Sequence, residues 1–386
     1  MDMTQQGVIA LLKAAITGEA AGLPPEFNIA EARLMMKRHH VAPLLYEGAV
    51  RCGISPQDPT MGVLFRKYCR ALQISEGQMG QVRRIFAAFD ENGIDYMPLK
   101  GCRMKALYPK TELRLMGDAD ILIRLEQYPK IREIMKTLNF EEGAETDHEL
   151  VWKSDALYLE LHKHLIPSYN KDLHRYFGTG WQRAERVSGG FHAMNAEDEW
   201  IFLFTHFAKH FRDGGIGCRH VVDLWVYLRS HPELDEAYVR AQLEQLQILE
   251  FYDNIRRLLV VWFDGAEGDE KTELISQFIF SSGSWGEAES RVISRTVRGG
   301  ATGKTGKVVY LCQTAFPDAL TLREKYPVLK KTPWMLPAVW VYRAFYKLFA
   351  EPKTLAKKKE DLSSLSGENV DARQQLLHFV GLEYRF

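Results

Sequence analysis

The chain has 386 residues, of which 46% are hydrophobic, 11% aromatic and 26% charged, a balance that excludes a disordered or fibrous protein. Lys and Arg total 50 and so do Asp and Glu, so no whole-molecule field draws the chain toward nucleic acid or a membrane, and any electrostatic function is local. At this length two or three packed subdomains are expected rather than one core.

The N-terminus carries Asp2 where a signal peptide needs positive charge, and its apolar residues recur at helical spacing. Up to about residue 90 the pattern stays helical: Ile9, Leu12 and Ile16 in one stripe, then Ile29 to His39, Val63 to Ile74 and Val82 to Phe89. Turn signals fall at Gly22 to Pro25 and Gly53 to Pro59, and Asn92 with Gly93 ends the last helix.

From Ile94 the grammar changes to short apolar runs alternating with helical ones. Strands are expected at Ile94 to Leu99, Ala119 to Ile123 and Ala156 to Leu161, with helices at Cys102 to Tyr108 and Tyr128 to Leu138. Helices return at Trp200 to Phe211, Val221 to Leu228, Glu236 to Leu246, Phe251 to Phe263 and Lys271 to Phe280. A Gly-rich joint at Gly299 to Gly306, a linker at Ser363 to Gly367 and a closing helix from Val370 to Val380 complete the chain.

The most informative window runs from Pro98 to Ile123. Asp118 and Asp120, one residue apart at a strand start, point to the same face with about 6 to 7 Å between alpha carbons. A third carboxylate, Glu160, lies on a strand whose Leu157, Leu159 and Leu161 form one face and Tyr158, Glu160 and His162 the other. If the two strands are neighbours, the three carboxylates share a divalent metal, the arrangement that serves phosphoryl transfer, and Glu160 also stands where it can deprotonate an attacking hydroxyl. The alternative is a polar turn before a strand, with Glu160 on a solvated face.

The surroundings of the pair carry a resemblance. Leu99, Lys100 and Gly101 end one strand, followed by Tyr108, Pro109 and Arg114, then Gly117, Asp118 and Asp120 leading into an apolar strand, then Glu160 and His162. This constellation resembles the nucleotidyltransferase superfamily of the polymerase-beta-like fold, and more closely a bacterial branch of nucleotidyltransferase-like proteins. The fold class implied is α+β: a small mixed-sheet nucleotidyltransferase palm (91–190) between a helical N-terminal region (1–90), a helical region closing the cleft (191–298) and a basic, aromatic C-terminal region (299–386). The resemblance further implies that Asp118, Asp120 and Glu160 hold Mg²⁺ or Mn²⁺ and that Lys100, Gly101 and Gly117 lie close to the triphosphate of a nucleoside triphosphate. Gly101 suits this, since a residue without a beta carbon lets backbone N–H groups approach phosphate. One departure is Cys102, where the superfamily has Ser or Gly, which removes a serine contact to phosphate. Arg114 either contacts phosphate or pairs with a carboxylate.

His206 and His210 sit four apart on one helix face, but position 207 is Phe, so the zinc-protease motif is absent. Related proteins have a His-x-x-Lys-His pattern followed by an Arg and an Asp-Leu, matched here by His206, Lys209, His210, Arg219, Asp223 and Leu224. These residues either line the nucleotide or acceptor cleft or form a helix pair joined by a His210 to Asp223 hydrogen bond. Gly299 to Lys307 falls short of a P-loop, because Arg298 stands where the first Gly belongs. Ser282 to Gly286 is one Gly short of a nucleophile elbow.

From Arg323 to Lys359 ten basic residues face two acidic ones, interleaved with Trp334, Trp340, Tyr342 and Phe345. Such a segment either binds an anionic partner or membrane surface or packs as a helix with solvated lysines. Pro333, Pro337, Arg343 and Lys347 interrupt it, so no transmembrane span is expected. Five scattered cysteines without a CxxC pair point to a reducing cytoplasm. The function expected is transfer of a nucleoside monophosphate to an acceptor hydroxyl or phosphate with release of pyrophosphate, without sequence-specific nucleic-acid binding. A catalytically silent module for nucleotide sensing or protein interaction is the alternative.

Overall fold

The computed structural model describes residues 1–283, 326–350 and 367–383, with a few positions between 312 and 322. Four helices lead the chain: α1 (Met3–Thr17), α2 (Arg33–Arg38), α3 (Ala42–Arg51) and α4 (Pro59–Glu91). Asp2 is the N-cap of α1; its carboxylate accepts from the Gln5 N–H while the Gln5 side chain reaches back to the Asp2 N–H. The sequence reading places no helix at α3 and breaks α4 in two. Gly77 and Gly80 each weaken the helix by about 1 kcal/mol, but Ala71, Ser75, Gln78 and Val82 stay buried along one side, so α4 runs through its polar middle.

Seven strands form one mixed sheet in the order β3-β4-β5-β2-β1-β7-β6. They are β1 (Tyr96–Pro98), β2 (Ala119–Ile123), β3 (Glu141–Glu145), β4 (Glu149–Lys153), β5 (Tyr158–His162), β6 (Glu185–Ser188) and β7 (Phe191–Ala193). The three expected strands are its centre, with β2 antiparallel to β1 and parallel to β5. The outer strands β3 and β6 are exposed throughout and show no apolar alternation, so only pairing to their hairpin partners makes them strands. Short helices α5 (Lys100–Met104), α6 (Tyr128–Thr137) and α7 (Lys171–Phe177) join them. Then come α8 (Ala196–Asp213), α9 (Cys218–Ser230), α10 (Glu236–Gln245), α11 (Leu249–Leu259) and α12 (Glu270–Ser282). The α+β class is therefore observed, with helical regions on both sides of a mixed sheet.

Two cores follow from the alternation of the central strands. Ala119, Ile121, Ile123, Leu159 and Leu161 pack with Val82, Ile85 and Phe89 of α4 and Ile131 and Met135 of α6. The other face contributes Met97, Leu99 and Leu122 to a larger core made with α1, α3, α8, α9 and α11. The polar residues that share this second face are thus aimed at the helical region.

The β6–β7 turn shows how tight the sheet is. Gly189 has φ +52, and a Cβ on Gly190 would lie 1.9 Å from the Ile94 carbonyl oxygen. Gly190→Ala is expected to lower stability by about 2 to 3 kcal/mol through this overpacking, read as an earlier denaturation midpoint.

Toward the C-terminus, helix Gly367–Phe379 buries Val370 and Leu377, while Arg373 donates to the Phe211 carbonyl. Helix Leu336–Ala350 leaves Tyr342 and Phe345 exposed, as is Trp334 just before it. Among the described residues no helix is long and apolar enough to cross a membrane. The expected joint at Gly299 to Gly306, the start of the linker at Ser363 and the lysines from Lys353 to Lys359 lie outside the described residues.

Candidate active site

Strands β2 and β5 pair in register, Asp120 opposite Glu160 and Leu122 opposite His162. Residues two apart on a strand share a face, so Asp118, Asp120, Glu160 and His162 all point to the helical side. One ligand atom each from Asp120, Glu160 and His162 lies within 4.8 Å of the others. Asp118, just before β2, lines the same cleft of about 250 Å³ without belonging to that tightest group. His162 Nε2 donates to Asp120 Oδ1 at 2.8 Å, and the Lys100 ammonium donates to the same oxygen at 2.7 Å.

These contacts divide the carboxylates electrostatically. Burial opposes ionisation of Asp120, but Lys100 and the His162 hydrogen bond prevail and hold it well below the usual carboxylate range. Asp118 has no such hydrogen-bonded partner among the described residues; burial, with Asp120 and Glu160 beside it, pushes it up to about 6. His162 is raised despite burial and Lys100, because Asp120 and Glu160 stabilise its proton. Two neighbouring carboxylates with separated acidities are a common arrangement at catalytic sites.

Each residue singled out in the sequence for the site lines this cleft: Lys100, Gly101, Arg114, Gly117, Asp118, Asp120, Glu160, His206 and His210. Their contacts refine what each does. Lys100 sits at φ +37, a left-handed conformation that strains a non-glycine residue, and its ammonium is engaged by Asp120. A Cβ on Gly101 would stand 3.0 Å from Met116 and 3.3 Å from Arg114 Nη1, so the close approach there is to the chain's own side chains. Cys102 is buried and does not line the cleft, and burial pushes its thiol up to about 12, so it stays a neutral thiol.

Arg114 is paired with a carboxylate. Its Nε and Nη2 donate to the two oxygens of Asp223 at 2.8 and 2.9 Å, and the Tyr108 hydroxyl donates to Asp223 Oδ1 at 2.7 Å. His210 is therefore not the partner of Asp223; its Nε2 lies 3.0 Å from His206 Nε2. A second tie between sheet and helices is Arg103, which donates both Nε and Nη2 to Glu199 of α8.

Residues 25–264 match the model of a family described as "uncharacterised nucleotidyltransferase". The chain belongs to this nucleotidyltransferase family. Among solved structures, that of the antibiotic-resistance factor ANT(2'')-Ia is similar at 13% identity with a TM-score of 0.31, over 48% of this chain and 96% of that one. A likeness at that level says nothing of the reaction. No curated protein matches the chain.

The nucleotidyltransferase cleft contains residues to which the sequence reading gave no role. His148 and Glu149, paired at 3.0 Å, enter from the start of β4, a strand without a polar/apolar alternation to betray it. His220 enters from α9, and His162, noted only as part of a pattern, is the group that orients Asp120.

Buried histidines make the fold acid-sensitive. Burial holds His39 and His164 down to about 4 and keeps His206, His210 and His220 well below the ordinary value of 6.5. They are neutral in the fold and gain a proton on unfolding. Between pH 6.5 and 4 the unfolded chain thus binds more protons, and stability falls as pH drops, by up to about 3 kcal/mol for His39 alone. Asp118, held at about 6, and His162, raised by its carboxylate neighbours, work in the opposite direction but are outnumbered by these five lowered imidazoles. The denaturation midpoint at pH 5 is expected to lie clearly below that at pH 7; equal midpoints would mean these imidazoles are solvated.

Proposed function

We propose that the protein is a metal-dependent nucleotidyltransferase that moves a nucleoside monophosphate from a nucleoside triphosphate to an acceptor hydroxyl or phosphate. The observation that carries this reading is the in-register pairing of β2 and β5, which gathers Asp120, Glu160 and His162, with Asp118 two residues upstream in the same cleft.

The donor set suits a hard divalent cation, which takes carboxylate oxygens. Both donors to Asp120, the Lys100 ammonium and His162 Nε2, sit on Oδ1, so Oδ2 is the oxygen offered to a cation. Asp118, Asp120 and Glu160 would hold Mg²⁺ or Mn²⁺, while His162 orients Asp120. When bound, such an ion neutralises charge on the phosphoryl oxygens as a Lewis acid.

The remaining work falls to the chain. Glu160 takes the proton from the acceptor hydroxyl; the acceptor oxygen bonds to the α-phosphorus as the bond to the bridging oxygen breaks, and pyrophosphate leaves with that electron pair. Lys100, Gly101 and Gly117 border the nucleotide on the sheet side, and His206 and His210 border it on the helical side. Arg114 acts through Asp223 to hold the two sides together.

Incubation of the protein with α-labelled nucleoside triphosphates, Mg²⁺ or Mn²⁺ and cell extract tests the reading. Label is expected to move to an acceptor with the wild type and not with Asp118→Ala/Asp120→Ala protein. Equal transfer by both proteins overturns it.

A further inference from the structure

The cleft is two-sided, and two cations of its helical side, Arg219 and Lys209, make no ion pair with a carboxylate among the described residues. Arg219 is only 9% exposed, yet among the described residues its guanidinium has neutral partners alone: Nη1 donates to the Leu115 carbonyl at 2.7 Å and Nη2 lies 3.1 Å from His220 Nε2. Its Nε is buried without a hydrogen-bond partner. The nearby carboxylate, Asp223, already has both oxygens engaged by Arg114. Lys209, from α8, also lines the cleft and has no hydrogen bond or ion pair among the described residues. Burial and Lys100 pull its ammonium down to about 8, as expected for a cation among cations.

A buried cation without a counter-ion is unfavourable, and buried Arg219 with half-buried Lys209 beside it on one cleft wall marks a place where a ligand supplies the negative charge. Arg219 lies in the first turn of α9, whose N-terminal end adds partial positive charge. The opposite wall, with Asp118, Asp120 and Glu160, repels anions unless a cation intervenes. Lys100, expected to meet phosphate, and Arg114, for which phosphate was one of two expected partners, are engaged by Asp120 and Asp223.

We infer that Arg219 and Lys209 form a polyphosphate subsite that takes the β- and γ-phosphates of the nucleotide and then the pyrophosphate product. This assignment rests on the nucleotidyl-transfer reading for the ligand's role, but not for the subsite's anion affinity. Because its charge comes from side chains, the subsite binds pyrophosphate without a divalent ion. A guanidinium fork and a point-charge ammonium suit adjoining phosphoryl groups.

The test is calorimetric titration of the full chain with inorganic pyrophosphate, ATP and AMP in EDTA. Wild-type protein is expected to bind pyrophosphate in competition with ATP. Lys209→Met, which removes charge but no hydrogen bond or ion pair among the described residues, and Arg219→Gln are each expected to weaken pyrophosphate and ATP roughly ten- to a hundredfold and AMP little. If Arg219→Gln fails to fold, Lys209→Met decides. Failure of wild-type protein to bind pyrophosphate, or unchanged affinity in a folded Lys209→Met variant, overturns the subsite. Pyrophosphate binding that depends on both residues but does not compete with ATP overturns its assignment to the leaving group. The nucleotidyl-transfer reading fails separately: absent label transfer with intact, Lys209-dependent pyrophosphate binding removes the reaction and keeps the subsite.

Discussion

Asp120→Asn protein is expected to transfer label at least a thousandfold more slowly than wild type, while Glu149→Gln, at the cleft edge, loses far less. Asp120 is the hub of the site: it is 4% exposed, stands opposite Glu160 in the parallel pairing, and receives both Lys100 and His162 on one oxygen. Asn keeps the shape but removes the charge that anchors a hard cation, an effect of several kcal/mol in the transition state and hence about three orders of magnitude in rate. Neutralising Asp120 also strands the Lys100 ammonium, so circular dichroism and a denaturation curve must accompany the assay. Measured kcat should fall more than KM rises, because the lost interaction acts on the transferring group. Activity within tenfold of wild type in a folded Asp120→Asn variant would put the chemistry elsewhere.

The second large effect is on stability. Asp223→Ala is expected to cost about 3 to 5 kcal/mol, since it leaves Arg114 buried with no counter-charge and frees the Tyr108 hydroxyl. All three side chains are shielded from solvent, so water cannot replace the lost carboxylate. The double variant Arg114→Met/Asp223→Leu removes both charges together and is expected to recover most of that loss, because a buried ion pair is often replaceable by apolar groups of similar size. Chemical denaturation of the single and double variants separates the two cases. A cost below about 1 kcal/mol for Asp223→Ala would mean that the Arg114–Asp223 pair contributes little to holding sheet and helices together.

How much of this was legible beforehand follows from what each residue depends on. The Asp118, Asp120 and Glu160 set was readable because strand alternation is local: once Ala119 to Ile123 and the run ending at Leu161 read as strands, the facing of each side chain followed. The buried side of each strand announced itself through Ile121, Ile123, Leu159 and Leu161, which left the acidic residues on the other face. Strands β3 and β6 were unreadable because they owe their form to hairpin partners at the sheet edge. The unbroken α4 was unreadable because tertiary burial of Gln78, whose amide donates to the Met116 carbonyl, overrides the weak local propensity at Gly77 and Gly80.

By itself, then, the sequence determined the α+β class, the three central strands and the faces on which the candidate ligands lie, since all of these rest on spacing within single elements. Partnerships between elements were decided only by the tertiary structure. Whether Arg114 meets phosphate or a carboxylate depends on Asp223, 109 residues away, and the answer is a two-pronged pair. The Lys100 ammonium, read as a phosphate contact, lies on Asp120 because the antiparallel turn from β1 brings the two together. Of the cations that line the cleft, Arg219 and Lys209 are left without carboxylate partners among the described residues, a property of charge balance in three dimensions that no spacing along the chain encodes.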